Sequence, residues 1–415
     1  HEPLFQDAIR AAGLNPSLFE MANIRNQCSW VHAGKWEEST EKAMDLVRGA
    51  VARAERLNAI KSLSFPVKKA ALVIGGGAAG MTSALELAQQ GFPVHLVEKK
   101  NVLGGNLRRI KFLEDQKSPS AFLEDLIDRI KKHPLITLHM NSAVAKSGGF
   151  TGNFASVIRD GEGGEETVEH GVAIVSTGAV EYRGPEYLLG IHKDVITALD
   201  LEEFIYRKAG GNGLDENPSL SARPLPQNVV ITLCVGPAEK FCARTCCTTA
   251  IKNALVLKQL SPSTKITVLY KDIRTYGFRE RLYTEARRWG VVFRRYEEAS
   301  PPRAVQRDGR LEVELLENGK NPVILHPDLL VLAEPMVPND DTRELATQLK
   351  VPLDADGFFL EAHVKLRPVD FQTGGFFISG VAPHPQLLSE TPGPAPAAGA
   401  RAATTLSRRA DYTGG

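Results

Sequence analysis

A chain of 415 residues, 43% hydrophobic and 24% charged, has material for two or three cored domains. Its formal net charge of +1 excludes a general electrostatic hold on nucleic acid or an anionic membrane, and no apolar run approaches the roughly 20 residues of a bilayer span. Five cysteines, four of them between Cys234 and Cys247, do not make a secreted disulfide framework, so the expected setting is a reducing compartment, the cytoplasm.

The opening "HEPLFQDAIR" has neither a basic n-region nor an apolar h-region and does not read as a signal peptide. In "WEESTEKAMDLVRGAVARAERLNAI", Met44, Val47, Val51 and Ala54 recur at helical spacing, which predicts an amphipathic helix within a helical N-terminal segment, residues 1–65. Pro66 marks a boundary. The next stretch, "KKAALVIGGGAAGMTSALELAQQGFPVHLVEKK", reads as strand, glycine turn, helix and strand. A helix over Ser118–Lys132, a strand "LITLHM", a polar turn at Gly161–Glu166 and a strand ending in Thr177–Gly178 complete this part.

A Gly/Pro/Asn-rich loop, "AGGNGLDENPSLSARPLPQN", leads into a second unit with strands "VVITL", "KITVLY" and "GVVFRRY" and helices after the first two. "LEVELL" and "DLLVLA" close that unit. "GGFFISG" is a last buried strand, "AGARAATTLSRRA" a terminal helix, and "DYTGG" a frayed tail. Both units are βαβ arrangements, so the fold class is α/β with two Rossmann-like dinucleotide-binding domains. The first spans 66–185 and 336–410; the second spans 186–335.

Gly75, Gly77 and Gly80 form G-x-G-x-x-G between a strand and a helix. The first allows the tight turn, the second lets backbone approach a pyrophosphate, and the third lets helix and strand pack closely. Ala78 and Ala79 belong to the same helix start. Glu98, followed by Lys99, ends the next strand at the distance where a carboxylate accepts a ribose hydroxyl. Gly105 and Asn106 in "LGGNL", the later Thr177–Gly178, and Gly380 after the last strand extend this set. The "LGGNL" and T-G features resemble FAD-binding members of the two-dinucleotide-domain flavoproteins, to which thioredoxin reductase belongs, and imply FAD rather than NAD at this turn.

The second unit has no glycine pattern at the equivalent turn. "CVGPAEKFCARTCC" stands there instead, with Cys234, Cys242, Cys246 and Cys247. Thiolates are soft ligands that suit a [4Fe-4S] cluster or zinc, and single-file cysteines suit a cluster better than a zinc site built from two distant pairs. A redox dithiol made of Cys242 and Cys246 beside the flavin is the other chemistry open to them. Cys28, alone in "NIRNQCSWVH", reads as a buried free thiol.

Taken together, "NIRNQCSWVH", "ALVIGGGAAGMTSALELA", "LVEKKNVLGGN", the cysteine turn and "YKDIRTYG" resemble the A subunit of heterodisulfide reductase over nearly the whole chain. The resemblance implies a thioredoxin-reductase-like fold with FAD and a [4Fe-4S] cluster held by Cys234, Cys242, Cys246 and Cys247. It also implies a flavin neighbourhood for Lys252 and Glu202 as catalytic residues. Expected partners are B- and C-type subunits together with iron–sulfur electron carriers, with a homodimer inside a larger complex and any membrane association made through partners. Archaeal A subunits carry a ferredoxin insert before the T-G strand. Here that place holds only "IRDGEGGEETVEHG", so partners must take over electron transfer. Two further departures are Gly380–Val381 where relatives read G-D, and Glu334–Pro335 where a glycine is usual. The alternative function is an NAD(P)H:disulfide oxidoreductase acting through Cys242 and Cys246.

Overall fold

The computed structural model describes residues 2–60, 63–211, 218–236, 242–390, 393–408 and 412–414. They fall into two units, residues 1–66 with 409–415, and residues 67–408. In the first unit, α1 (Glu2–Ala11) and α2 (Trp36–Ala54) are the main helices. The sequence of α2 suits its ends, with Glu37 and Glu38 in the first turn and Arg53 in the last, each favourable to the helix dipole. Its periodicity is helical as expected, yet Met44, Val47 and Val51 remain 48%, 45% and 53% exposed. Cys28 is a buried free thiol whose Sγ donates to the Ser39 carbonyl at 2.8 Å. The tail is not simply frayed: Tyr412–Gly414 pairs antiparallel with Leu63–Phe65, which satisfies backbone groups on both short segments.

The second unit begins with β1 (Ala71–Ile74), α3 (Ala78–Gln89), β2 (Val94–Val97), α4 (Ser120–Lys132), β3 (Ile136–His139) and β4 (Val172–Val175). There follow β5 (Val195–Thr197), α5 (Ala198–Lys208), β6 (Asn228–Thr232), α6 (Thr245–Leu260) and β7 (Lys265–Tyr270). It ends with α7 (Glu280–Arg288), β8 (Val292–Arg295), β9 (Leu329–Leu332), β10 (Phe376–Ile378) and α8 (Pro394–Leu406). Strands β1, β4 and β9 are apolar and buried throughout, as parallel strands covered on both faces must be.

These strands make two five-stranded sheets. The first has the order β10-β4-β1-β2-β3 and the second β5-β9-β6-β7-β8, with every neighbouring pair parallel. In the first sheet the chain leaves β1 toward β2 on one side and returns to β4 on the other. In the second, β6 stands in the same relation to β7 and β9. Ligands of open α/β sheets bind at such switch points, outside the carboxyl ends of the strands. The glycine turn follows β1 and the cysteine turn follows β6, so both stand at switch points.

Local sequence explains the helix starts. A capping box between Thr197 and Asp200 opens α5, and Pro394 at the first position suits α8 because that position lacks an intrahelical partner in any case. The α6 helix begins at Thr245, ahead of the expected "TTAIKNALVLKQL", and so takes Cys246 and Cys247 into its first turn. The cause is Arg244, whose left-handed backbone (φ +52°) turns the incoming loop directly into the helix. No described helix is long and apolar enough to cross a membrane.

Candidate functional site

At the first switch point, two of the three motif glycines are required by the fold itself. Gly75 has φ +111°, and a Cβ on it would lie 2.3 Å from the Ser176 carbonyl oxygen. A Cβ on Gly80 would stand 1.9 Å from the Gly75 oxygen, so α3 can pack on β1 only without it. Gly77 differs. Its φ is an ordinary −76°, and a Cβ there would meet no protein atom within 4 Å. Nothing in the protein demands glycine at this position; the open space lies against the start of α3, whose first amides have no side-chain cap. That is the arrangement an approaching pyrophosphate needs.

The surrounding turns close on this one. Glu98 is 9% exposed, and its carboxylate accepts the amides of Gly76 and Lys100, each at 2.8 Å. Lys99 points outward to Asp341, 2.7 Å away. The Gly104 amide donates to the Gly76 carbonyl at 2.8 Å, which brings Gly105 and Asn106 over the glycine turn. Asn106 Nδ2 then donates to the Ala179 carbonyl at 2.7 Å, and Asn339 Nδ2 reaches the carbonyls of Thr177 and Gly178 at 3.1 and 3.2 Å. Gly380 abuts Ala79: a Cβ on it would come within 2.6 Å of the Ala79 methyl. Thr177 Oγ1 is buried and has no hydrogen-bond partner among the described residues. The structure thus brings Gly75, Gly77, Ala78, Ala79, Gly80, Glu98, Gly105, Asn106, Thr177, Gly178 and Gly380 into one cradle, and the residues fit a dinucleotide.

At the second switch point, Cys234 follows β6 with a left-handed backbone (φ +59°). Cys234 and Cys242 are exposed, Cys246 is intermediate and Cys247 buried, and none is in a disulfide. Burial first, then the charges of Cys247, Cys242 and Cys234, push the Cys246 thiol far above its ordinary range. Burial likewise lifts Cys247 to about 11, against a hydrogen bond involving Arg274. The four sulfurs therefore lie within electrostatic reach of one another and, as a donor set, suit a soft iron–sulfur group. Among the described residues, no three or more His, Cys, Asp or Glu groups converge as a metal site. Pro237, which stands in this turn where a phosphate loop would need a glycine, lies outside the described residues. "YKDIRTYG" runs alongside: the Asp272 hydrogen bond and then the Cys242 charge raise Arg274, and the Glu298 hydrogen bond, with smaller parts from Cys234 and Cys242, raises Lys271.

Glu202 and Lys252 are neither surface groups nor independent of one another. Glu202 is 0% and Lys252 5% exposed, and Lys252 Nζ lies 2.8 Å from Glu202 Oε2. Glu202 Oε1 accepts the amides of Lys111 and Phe112 at 2.6 and 2.8 Å, and Lys252 Nζ donates to the Phe112 carbonyl at 2.7 Å. The pair clamps the segment after the "LGGNL" turn onto α5 and α6.

Glu334 stands out in the sequence only as a departure from a usual glycine. In the fold it is 8% exposed, and neither carboxylate oxygen has a hydrogen-bond partner among the described residues. Burial, then the charges of Glu181 and Glu186, push its carboxyl up to about 8.

Comparison with known proteins agrees with this geometry. Residues 73–124 match the NAD(P)-binding Rossmann-like domain family. The chain is 30% identical to the second of the iron-sulfur A subunits of CoB–CoM heterodisulfide reductase in Methanopyrus kandleri, over 98% of this chain and 75% of that protein. It is 31% identical to the A subunit of the H(2):CoB-CoM heterodisulfide,ferredoxin reductase of Methanothermobacter thermautotrophicus, over 98% of this chain and 74% of the relative. That alignment runs over 494 residues, more than this chain contains, so the relative carries residues that this chain lacks. Thioredoxin reductases share the fold. The T. acidophilum enzyme aligns with a TM-score of 0.55 and 15% identity over 82% of this chain and 98% of its own. The Lactococcus lactis enzyme gives 0.56 and 14% over 82% and 99%.

The glycines separate by substitution. Gly80→Ala should destabilise the protein by about 3 kcal/mol through overpacking, whereas Gly77→Ala should leave the unfolding midpoint within error of the parent and weaken dinucleotide binding. Thermal unfolding and binding titrations on both variants check this; equal destabilisation by the two would contradict it. Glu334 gives a pH signature. A carboxyl raised above its unfolded value binds an extra proton in the native state, so stability is highest below about pH 4.5 and falls as pH rises toward 8. The loss is about 1.4 kcal/mol per pH unit between the two values. Glu334→Gln should therefore raise the unfolding midpoint at pH 9 and leave it nearly unchanged at pH 5.

Proposed function

The chain belongs to the family of heterodisulfide reductase A subunits and is an oxidoreductase, and on that premise we propose that it is the FAD- and [4Fe-4S]-containing electron-transfer subunit of a heterodisulfide-reductase-like complex, relaying electrons between flavin and partner iron–sulfur subunits. The observation that carries this reading is the contrast between the two switch points. The first keeps an open glycine and uncapped helix amides where a dinucleotide pyrophosphate would lie. The second replaces a phosphate loop with four cysteines.

Under this reading FAD supplies two-electron chemistry and the cluster one-electron chemistry. The chain's own residues do the holding. Gly75, Gly77, Ala78, Ala79 and Gly80 would meet the pyrophosphate with backbone, Glu98 would accept a ribose hydroxyl, and Gly105, Asn106, Thr177, Gly178 and Gly380 would enclose the rest. Cys234, Cys242, Cys246 and Cys247 would ligate the cluster. Cys246 and Cys247 are neighbours on the first turn of α6, where successive side chains diverge by about 100°, so ligation there would depart from regular geometry. Lys252 and Glu202 act as a bonded pair that holds Lys111 and Phe112 beside this centre. B- and C-type partners and a homodimer within the complex are part of the proposal.

The second switch point also bears on reductants. Residues 233–244 connect β6 to α6, against residues 75–77 between β1 and α3. So long a connection, with Arg244 rather than a glycine before the helix, departs from the short glycine turn that brings helix amides under a nucleotide phosphate.

Anaerobically purified protein should carry one FAD and four irons per chain, and Cys247→Ser should lose or convert the cluster while keeping FAD. Iron analysis and EPR of the reduced proteins check this; four irons with an unchanged signal in the variant would remove Cys247 from the ligand set. NADH and NADPH should leave the flavin oxidised over seconds, and fast stoichiometric bleaching would revive the dithiol reading. Lys252→Met, which strands the Glu202 charge, should cost about 3–5 kcal/mol in unfolding experiments; a change below about 1 kcal/mol would show that the pair does not clamp this segment.

A further inference from the structure

A cavity of about 360 Å³ opens at the carboxyl end of β10, lined among others by Gly380, His384, Gln386, Glu390, Pro394 and Arg244. Five of these six come from the β10–α8 region. Arg244 comes from the cysteine turn. The cavity borders the dinucleotide cradle at Gly380, which lines it and packs against Ala79 at the start of α3. A dinucleotide whose pyrophosphate lies over Gly77 and whose ribose meets Glu98 would extend its other half past Gly380 into this space, which is of the size that encloses a small ligand group.

Among the described residues, the charges around the cavity leave one cation, Arg244, without a carboxylate partner. Glu390 is engaged by Arg279 Nη2 at 3.1 Å and by the Leu387 amide at 2.9 Å. Gln386 Nε2 donates to the Gly380 carbonyl at 3.1 Å and lies 3.1 Å from His384 Nε2. His384 is held below its usual pKa by burial and then by the Arg244 charge, which keeps it neutral. Arg244 Nη1 donates to the Tyr276 hydroxyl at 3.0 Å, and no carboxylate pairs with its guanidinium among the described residues. Its backbone is left-handed (φ +52°), a conformation that costs a side-chain-bearing residue about 1–3 kcal/mol and persists only where the surroundings enforce it. That turn sends a guanidinium from the cysteine loop to the cavity wall.

We propose that Arg244 is a charge-compensating positioning residue for the flavin, presented by the cysteine turn to the ring end of the cradle. The inference rests on the FAD reading above and adds to it a residue that links the two switch points. Two electrons and one proton, supplied in the test by dithionite and water, convert the oxidised ring to a form with one negative charge. A guanidinium at the cavity wall favours that form over the neutral oxidised one.

The test uses the full chain reconstituted with FAD, with Arg244→Gln and Arg244→Lys beside the parent. FAD content and the unfolding midpoint are measured first, then the flavin is titrated reductively against a reference dye. All three proteins should hold FAD equally, since the cradle residues are untouched. In Arg244→Gln the ratio of reduced to oxidised flavin at a fixed potential should fall about tenfold, which is about 30 mV for a two-electron couple, and Arg244→Lys should recover most of it. An unchanged potential in Arg244→Gln overturns the proposal while leaving the FAD reading intact. A parent that takes up no FAD overturns the FAD reading itself, and the proposal with it.

Discussion

The buried ion pair between Glu202 and Lys252 fixes how the two halves of residues 67–408 face each other. Two charges withdrawn from water are tolerable only when every lone pair and proton near them is used. Here Glu202 takes two backbone amides besides Lys252, and Lys252 gives a second bond to the Phe112 carbonyl. The seam continues on either side. Lys111 Nζ pairs with Glu203 at 2.9 Å, and Arg109 reaches Glu181 and Asp200, each at 3.3 Å. The segment leaving the cradle is thus bonded along α5 and to α6, the helix that carries Cys246 and Cys247. The cradle and the cysteine turn inherit their relative placement from this seam.

Within that frame the same topology yields two unlike sites. Each follows the central strand of a parallel five-stranded sheet at its switch point. Only the connection differs. Three residues, of which Gly75 is held to glycine by both contact and backbone angle, produce an open helix start without a side-chain cap after β1. The longer loop after β6 carries cysteines instead, with Arg244 beside them in the chain and Lys271 and Arg274 within reach of their charge. Function on this scaffold is decided by loop chemistry and not by the sheets.

The glycine and cysteine turns were legible in the sequence because each is a local pattern between a recognisable strand and helix. So was the sheet content, since buried parallel strands read as unbroken apolar runs such as Ala71–Ile74. Pairings across long separations were not. Nothing in "ALDLEEF" distinguishes Glu202 from its acidic neighbours; only the fold brings it to Lys252, 50 residues on. Arg244 could not be singled out either, because its direction depends on a left-handed backbone that sequence does not favour for arginine. The α2 periodicity correctly gave a helix, but amphipathicity states which face is apolar and not what covers it. Met44, Val47 and Val51 are accordingly exposed within a correctly expected element.

The two sites also differ in where conformational cost is carried. Around the cradle the left-handed angles fall on Gly75, Gly104, Gly105, Gly178 and Gly380, residues that adopt them without penalty. Around the cysteine turn one falls on Gly236, but others fall on Tyr187, Leu188, Cys234 and Arg244, each with a side chain that resists them. Tyr187 stands close enough for the Cys234 charge to add to the burial that raises its hydroxyl to about 12. The carboxyl end of the second sheet holds Glu334 without a partner among the described residues, and thiols that burial pushes up. Strain, a carboxyl without a partner among the described residues and two buried or half-buried thiols at the carboxyl end of one sheet each oppose folding. The cradle, built from glycine and satisfied backbone, is organised before any ligand arrives.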